Sequence, residues 1–267
     1  MTFVDAILLG LLQGATEFLP VSSSGHLALA QNLLDDFAQP GLVFDILLHV
    51  GTMVAVIGYF WRDLIGLLTS PWRRDDTALI QRRMLLLIIL GSVPTAIIGL
   101  TCKDIFEGLF EQPMIVCLML LVTGGLLVVA ERYRTTNRTE GAMTWKDALT
   151  VGTVQGLAII PGISRSGSTI AALLLRGVDG ETAARFSFLL ALPAIFGAAL
   201  LSIKDIQQIE TTLIPVYLAG TGAALFTGLL CIHLLMGVIR KRRLRWFAFY
   251  CWGVGLTGLV FFSSSAL

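Results

Sequence analysis

Charged side chains are scarce in this 267-residue sequence: they make up 14% of it, against 55% hydrophobic residues. Soluble domains carry about 25% charged residues, so the composition excludes an ordinary water-soluble protein. Neither positive nor negative charge is in excess, since the sequence has 19 Lys and Arg and 18 Asp and Glu. A net charge of +1 provides no basic surface for nucleic acid, and the mean hydropathy of +0.82 indicates a membrane protein.

Two further features are lacking: clustered cysteines and a basic N-terminus. The four cysteines are far apart and show no CxxC spacing, so we interpret them as free thiols rather than metal or redox sites. They are Cys102, Cys117, Cys231 and Cys251. The first residues, Met1 to Asp5, contain no Lys or Arg before the apolar stretch. This pattern excludes a secretory signal peptide and predicts that the chain is the mature protein.

Six apolar stretches are long enough to cross a bilayer, which takes about 20 residues. They are 43–61, 84–101, 114–131, 186–203, 213–239 and 246–263. Arginine and lysine concentrate in alternate connections, at 62–83, 132–146 and 240–245. Because basic connections stay on the cytoplasmic side, we predict that these three are cytoplasmic. The predicted fold class is an all-α polytopic membrane protein with six transmembrane helices.

Two other apolar stretches, 3–34 and 146–176, are interrupted by Pro, Gly and Ser. The interruptions are LPVSSSGH at 19–26 and PGISRSGST at 161–169. Backbone polar groups must be satisfied inside hydrocarbon, so such breaks are tolerated only within protein or beside a water-filled cavity. We therefore predict two re-entrant helix–loop–helix segments whose loops reach membrane depth.

The two interrupted segments repeat one another. With a shift of 142 residues, 5–48 aligns with 147–190 without a gap, and 13 of the 44 positions are identical. Three crossings separate the copies, and an odd number predicts an inverted-topology repeat, in which the site lies at the repeat interface. The predicted division is one membrane domain at 1–267, made of repeat one at 1–131, a cytoplasmic linker at 132–145 and repeat two at 146–267.

Ionisable side chains inside a membrane are rare and usually functional. At membrane depth, the interrupted segments carry one acid, one imidazole and one guanidinium, together with two glutamines and several hydroxyls. Such a set suits an anionic, oxygen-rich substrate. Its members are Glu17, His26, Arg165, Gln13, Gln155, Ser22, Ser23, Ser24, Ser164, Ser166, Ser168 and Thr169.

Arg165 and Glu17 are the most informative of these residues. The planar guanidinium of Arg165 matches phosphate oxygens, and the surrounding Gly and Ser residues leave backbone N–H groups for anion contacts. Gln13 and Glu17 share a helix face, where Glu17 can hold a divalent cation beside a diphosphate or act as an acid or base. The structural alternatives are an Arg165–Glu17 pair across the repeat interface, which is compatible with function, and a hydrogen-bonded buried acid.

Two residues compete for the role of nucleophile. His26 can attack phosphorus itself, donate to a leaving phosphate or deprotonate Ser23, and Ser23 is the other candidate. Asp45 and His49 lie one turn apart in the 43–61 stretch. We expect Asp45 and His49 either to line the cavity that holds the substrate or to support the residues around it.

Four stretches resemble the bacterial undecaprenyl-diphosphate phosphatases of the bacitracin-resistance type. They are QGATEFLPVSSSGH at 13–26, FDILLHVGTMVAV at 44–56, PGISRSGST at 161–169 and RFSFLLALPAIFGA at 185–198. The resemblance implies hydrolysis of the C55 isoprenyl diphosphate to the monophosphate, which recycles the lipid carrier for peptidoglycan synthesis and gives bacitracin resistance. It also implies a bacterial plasma (inner) membrane protein whose active site faces the periplasm and depends on Mg²⁺ or Ca²⁺.

The same resemblance implies roles for individual residues. The catalytic residues would be Glu17, Ser23, His26 and Arg165, with Glu17 also at the metal. The substrate-binding residues would be Gln13, Ser22, Ser24, Ser164, Ser166, Gly167 and Thr169. Some members of the family carry Glu where Gln13 stands, so a two-carboxylate metal site is not available here from this pair. The implied partners are undecaprenyl diphosphate and the lipid bilayer, with no nucleic acid and with a homodimer as the candidate oligomer.

Other functions fit parts of the sequence. Inverted repeats with broken helices are typical of transporters and lipid flippases, and fold analogy alone favours that function. A type-2 phosphatidic acid phosphatase shares Ser-Gly-His at 24–26, but its third motif needs a His where Ala171 stands. A structural scaffold would leave the polar loops at membrane depth unexplained. The combination of Glu, His, Arg and Ser therefore favours hydrolysis of a diphosphate lipid.

Overall fold

The computed structural model describes residues 1–32, 43–133, 138–202, 210–240 and 243–264. These residues form two short 3₁₀ turns, at Ser70–Trp72 and Glu140–Ala142, and twelve α-helices. The helices are α1 Phe3–Phe18, α2 Ser23–Gln31, α3 Val43–Tyr59, α4 Trp61–Thr69, α5 Asp76–Thr101, α6 Lys103–Phe110, α7 Pro113–Arg132, α8 Trp145–Leu157, α9 Arg165–Leu175, α10 Gly180–Leu201, α11 Ile214–Arg240 and α12 Arg245–Ser264. Parts of the predicted segments lie outside the described residues, namely 33–34, 134–137, 203 and 241–242.

Five of the helices are long and apolar enough to cross a bilayer: α5, α7, α10, α11 and α12. Together α3 and α4 meet the same criterion, but they bend by 77° at Phe60, so they add a sixth span if the pair counts as one. The prediction of an all-α polytopic membrane protein is confirmed.

The helices extend beyond the apolar stretches at their charged ends. α5 begins at Asp76, inside the connection predicted at 62–83, and α4 lies within the same connection. Arg82 stabilises this region, because its guanidinium donates to the carbonyls of Ser70 and Arg73 at 3.0 and 2.9 Å. A helix that leaves hydrocarbon keeps its internal hydrogen bonds. Charged residues therefore end the apolar stretch without ending the helix.

Both interrupted stretches form helix–loop–helix units, as predicted. The first unit joins α1 to α2 through residues 19–22, and the second joins α8 to α9 through residues 158–164. Matched residues of the two copies begin these helices in the same way: Thr2 and Thr144, Asp5 and Asp147, Ser22 and Ser164, Gly25 and Gly167. The internal repeat thus has matching local structure, while the inverted orientation of its copies and the domain division remain predictions.

The first helix of each unit packs against a long helix from the other half of the chain. α1 lies along α11, and α8 lies along α5. A glycine permits each close approach. A Cβ on Gly10 would lie 2.2 Å from the carbonyl oxygen of Gly220, and a Cβ on Gly152 would lie 1.9 Å from that of Gly91. Gly10 and Gly152 are matched positions of the repeat. In each half of the chain, therefore, a glycine lets the first helix of the unit pack closely against a long helix of the other half.

The largest hydrophobic core among the described residues extends through helices α1, α3, α5, α8, α9, α10 and α11, and within it α1, α9 and α10 meet. Phe18, Ile170 and Phe188 are fully buried there. The rings of Phe18 and Phe188 meet edge to face, with 5.4 Å between their centroids. Since Phe18 directly follows Glu17, this core fixes the end of α1 that carries the acid.

Asp147 anchors the linker to the second helix–loop–helix unit. Its fully buried carboxylate accepts hydrogen bonds from Arg138 at 3.1 and 3.0 Å and from Arg176 Nε at 2.5 Å. Burial disfavours the charged form, but donors from Arg138, Thr144 and Arg176 outweigh it and hold the pKa of Asp147 below its usual range. This network ties the start of α8 to the end of α9.

Replacing Gly152 by Ala places a methyl group where the α5 backbone already lies, so α8 and α5 must separate. We expect Gly152→Ala to lower the free energy of unfolding by about 1–3 kcal/mol, the usual range for overpacking, with a lower unfolding temperature in detergent. The control is Gly197→Ala on α10, whose Cβ would meet nothing within 4 Å. It should unfold at or above the wild-type temperature, because alanine favours helix. Equal stability of the two variants would contradict the close approach.

Candidate active site

The two interrupted segments meet at their breaks. Ser166 Oγ donates to the carbonyl of Leu19 at 3.2 Å, and a Cβ on Gly25 would lie 2.9 Å from the Cα of Gly162. Both α2 and α9 begin at this junction, so the positive ends of two helix dipoles lie beside it. The approach of the two loops, expected from the sequence, is direct contact in the structure.

Glu17 lies near the end of α1 and is buried, with 6% of its surface exposed. Its Oε1 contacts the guanidinium Nη2 of Arg165 in an ion pair. Its Oε2 accepts hydrogen bonds from Ser23 Oγ at 2.5 Å and from Gln13 Nε2 at 3.0 Å. One carboxylate therefore gathers three of the predicted site residues, and they come from both interrupted segments.

Arg165 is the first residue of α9, and 17% of its side chain is exposed. Besides the contact with Glu17, its Nη1 lies 3.5 Å from the carbonyl oxygen of Ser187. A guanidinium carries five N–H donors, more than these contacts use. The Arg165 guanidinium can therefore stay paired with Glu17 and still donate hydrogen bonds to a second anion.

Several of the predicted substrate-binding residues shape the two helix starts. Ser22 and Ser164 cap α2 and α9, because their Oγ atoms accept from the backbone N–H groups of Gly25 at 3.2 Å and Gly167 at 3.0 Å. Ser22 has a φ of 71°, a left-handed conformation that side-chain-bearing residues rarely adopt. Ser24 Oγ lies 3.4 Å from Ser22 Oγ. These residues fix the backbone conformation of the two helix starts at the junction.

The first turn of α9 is fixed by hydroxyl groups. Thr169 Oγ1 donates to the carbonyl of Arg165 at 2.8 Å and lies 2.5 Å from Ser187 Oγ. Ser166 Oγ lies 3.3 Å from Ser164 Oγ. The turn that carries the guanidinium is therefore held from both α9 and α10.

His26 is held by partners other than Glu17. Its Nδ1 donates to the carbonyl of Ser22 at 2.7 Å, since a carbonyl can only accept, and its Nε2 accepts from the hydroxyl of Tyr250 at 2.9 Å. The His26 and Tyr250 rings are stacked, with centroids 5.5 Å apart. Both ring nitrogens are thus engaged. Of the two candidate nucleophiles, the structure places Ser23 against the carboxylate.

His49, which the sequence left as either lining or supporting the cavity, lies at the site. Its Nε2 is 3.5 Å from Glu17 Oε2, and its Nδ1 donates to the carbonyl of Asp45 at 2.8 Å. Asp45 in turn accepts from Gln31 Nε2 at 2.7 Å. Asp45 therefore supports the end of α2, while His49 faces the buried acid.

The oxygen donors at Glu17 fit a divalent cation whose coordination is completed by substrate. Mg²⁺ commonly takes one or two carboxylates together with phosphate oxygens. Glu17 supplies one carboxylate, and Gln13 supplies an amide oxygen that is buried without a hydrogen-bond partner. Within the described ranges, no group of three or more His, Cys, Asp and Glu is arranged to hold a metal ion. The protein's own share of the ligands is therefore small.

Known proteins resemble this chain over nearly its whole length. A family model described as bacitracin resistance protein BacA matches residues 6–257. An undecaprenyl-diphosphatase from Syntrophotalea carbinolica is 56% identical over 266 residues, which cover 100% of both chains. One from Desulfatibacillum aliphaticivorans is 45% identical over 277 residues, covering 97% of this chain and 99% of the relative. One from Methanosphaera stadtmanae is 42% identical over 273 residues, covering 97% and 98%.

Removing one partner of a buried ion pair leaves the other charge unpaired, at a cost of about 3–5 kcal/mol. We expect Arg165→Met to lower the unfolding temperature in detergent, since the buried Glu17 carboxylate loses its guanidinium partner. The double variant Glu17→Gln/Arg165→Met removes both charges and should recover most of the lost stability. A double variant as unstable as Arg165→Met would contradict the pairing.

Proposed function

Since this chain belongs to the bacitracin resistance protein BacA family, we propose that it hydrolyses undecaprenyl diphosphate to the monophosphate and inorganic phosphate. The observation that carries the proposal is the contact of both Ser23 and Arg165 with one buried carboxylate, Glu17. These contacts supply a nucleophile, a base and a phosphate-binding cation at one place among apolar helices.

Arg165 binds the diphosphate in this proposal. Its guanidinium forms paired hydrogen bonds with phosphate oxygens. The N–H groups of the first two residues of α2 and of α9 add further contacts, because they have no partner within their own helix. Ser22, Ser164 and Gly167 serve binding by shaping these helix starts. The isoprenyl chain stays in lipid, along a groove between helices.

Ser23 is the nucleophile. Its Oγ bonds to the terminal phosphorus while the bond from that phosphorus to the bridging oxygen breaks, and the lipid monophosphate leaves. The Ser23 proton passes to Glu17 Oε2, 2.5 Å away. Water then attacks the phosphoserine, Glu17 returns the proton to the departing Ser23 Oγ, and both water hydrogens leave with dihydrogen phosphate. His26 assists by holding the start of α2 through Ser22 and Tyr250.

A divalent cation, Mg²⁺ or Ca²⁺, would be held by Glu17 and Gln13 together with diphosphate oxygens, and it would offset the charge on the bridging oxygen. The protein is a multi-pass membrane protein, which we propose lies in the bacterial inner membrane with its site open to the periplasm. There the activity would recycle the lipid carrier for peptidoglycan synthesis and give bacitracin resistance. The homodimer remains a prediction.

A transporter or lipid flippase is the alternative function, favoured by the crosswise packing of the broken helices. Release of phosphate in detergent separates the two functions, because no gradient or second compartment exists there. A flippase without phosphatase activity would release no phosphate under these conditions.

Phosphoryl transfer depends mainly on positioning and charge stabilisation. We expect Arg165→Ala to lower kcat/KM for undecaprenyl diphosphate by more than tenfold, which corresponds to about 1.4 kcal/mol. Glu17→Ala should lose about 100-fold or more, the usual contribution of a general base, and Arg165→Ala should lose more activity than the removal of any single hydroxyl, including that of Ser23. The measurement is phosphate release from purified protein in detergent.

Matched controls for these variants are Arg245→Ala, an exposed arginine that pairs with Glu131, and Ser92→Ala, whose hydroxyl donates to the carbonyl of Ile88. Both should keep wild-type kcat/KM. Arg165→Ala activity within tenfold of wild type would contradict the assigned site.

Removal of divalent cations should also stop turnover, since Glu17 and Gln13 provide few ligands by themselves. We expect EDTA to abolish phosphate release and added Mg²⁺ or Ca²⁺ to restore it. Undiminished hydrolysis in EDTA would contradict the proposed cation.

A further inference from the structure

We propose that Thr123 on α7 is a positioning residue that holds the loop at 158–164 in the shape from which Arg165 binds the diphosphate. The inference rests on the proposed function and concerns a side chain that lies outside both interrupted segments. It assigns Thr123 an effect on substrate affinity, exerted through the backbone that precedes Arg165 rather than by contact with the substrate.

The Thr123 hydroxyl bonds to this loop at two points. Thr123 is buried, with 1% of its surface exposed. Its Oγ1 donates to the carbonyl of Gly162 at 2.9 Å and accepts from the backbone N–H of Ser164 at 3.0 Å. Threonines within helices commonly donate to the carbonyl four residues earlier, as Thr153 and Thr257 do. Thr123 instead bonds to a different segment of the chain.

These two bonds fix the backbone immediately before Arg165. Gly162 has a φ of 93°, a left-handed conformation that favours glycine. A Cβ on Gly162 would lie 2.3 Å from the carbonyl oxygen of Val116, which also belongs to α7. Ser164 caps α9, and Arg165 is the first residue of that helix. The position of the guanidinium therefore depends on how α7 holds residues 162–164.

A matching contact holds the loop of the first unit. With the repeat shift of 142 residues, Pro20 corresponds to Gly162. The carbonyl of Pro20 accepts from Sγ of Cys251 on α12 at 3.7 Å. α12 also packs along α7, where Trp252 Nε1 donates to the carbonyl of Leu121 at 3.0 Å. The paired helices α7 and α12 thus hold the same backbone carbonyl in both copies, which fixes the two loops relative to each other.

The test is binding of farnesyl methylenediphosphonate, a diphosphate analogue whose bridging carbon cannot be hydrolysed, to the purified protein in detergent. In Thr123→Val the loop must shift to give its freed N–H and C=O new partners, and binding must reverse that shift. We expect the Kd to rise by about 10-fold, the scale of an unpaired buried polar group. Thr123→Ser keeps the hydroxyl and should stay within about twofold of wild type.

Coupling to Arg165 separates positioning from a purely structural role. In the Arg165→Ala background the guanidinium is absent, so Thr123→Val should there raise the Kd by about threefold or less. The control is Thr95→Val, since Thr95 is also buried and its Oγ1 donates to the carbonyl of Gly152 on another helix at 2.8 Å. It should lose stability as Thr123→Val does, yet bind the analogue like wild type. Thr123→Ala removes the same hydroxyl with a smaller side chain, so a folding defect in one variant leaves the other to decide.

Two results would overturn the role of Thr123: wild-type affinity in both the Val and Ala variants, or an equal loss of affinity with and without the Arg165 guanidinium. Failure of the proposed function gives a different result. In that case the wild-type protein would release no phosphate from undecaprenyl diphosphate, while the Kd values for the analogue would still support or overturn the role of Thr123.

Discussion

A carboxylate buried among apolar helices must have charged and hydrogen-bonding partners, and this requirement organises the protein around Glu17. Isolating an ion in such surroundings costs several kcal/mol. The partners come from four different helices: Gln13 from α1, Ser23 from α2, His49 from α3 and Arg165 from α9. Gln13 donates from within α1, whereas the contacts from α2, α3 and α9 also hold those helices against α1. Site and fold are thus stabilised by the same contacts.

The two copies of the repeat have the same local backbone arrangement but carry different side chains at one matched position of the site. Ser22 and Ser164 cap their helices in the same way, so the residues that follow them, Ser23 and Arg165, occupy matched positions. One copy presents a hydroxyl there and the other a guanidinium, and both reach Glu17. The chemistry of the site arises from this difference between otherwise similar segments.

The sequence predicts those features that depend on local pattern. Apolar length predicts the spans, and Pro, Gly and Ser interruptions predict the helix–loop–helix units. Polar residues at membrane depth, combined with the repeat, predict that Glu17 and Arg165 meet. The sequence does not predict that α5 begins as early as Asp76. Charged residues end the apolar stretch, but the hydrogen-bonded helix continues through them.

The remaining site contacts depend on tertiary packing. His26 is oriented by Tyr250, which is 224 positions away and looks like any aromatic residue of a span. Ser187 is equally inconspicuous in α10, yet its hydroxyl meets Thr169. The approach of His49 to Glu17 depends on the rotation of α3, which residue spacing restricts without fixing. The crosswise glycine contacts also have a consequence for biosynthesis. α1 is made well before its partner α11, so the nascent chain must hold α1 in the translocation machinery or the lipid until residues 214–240 arrive.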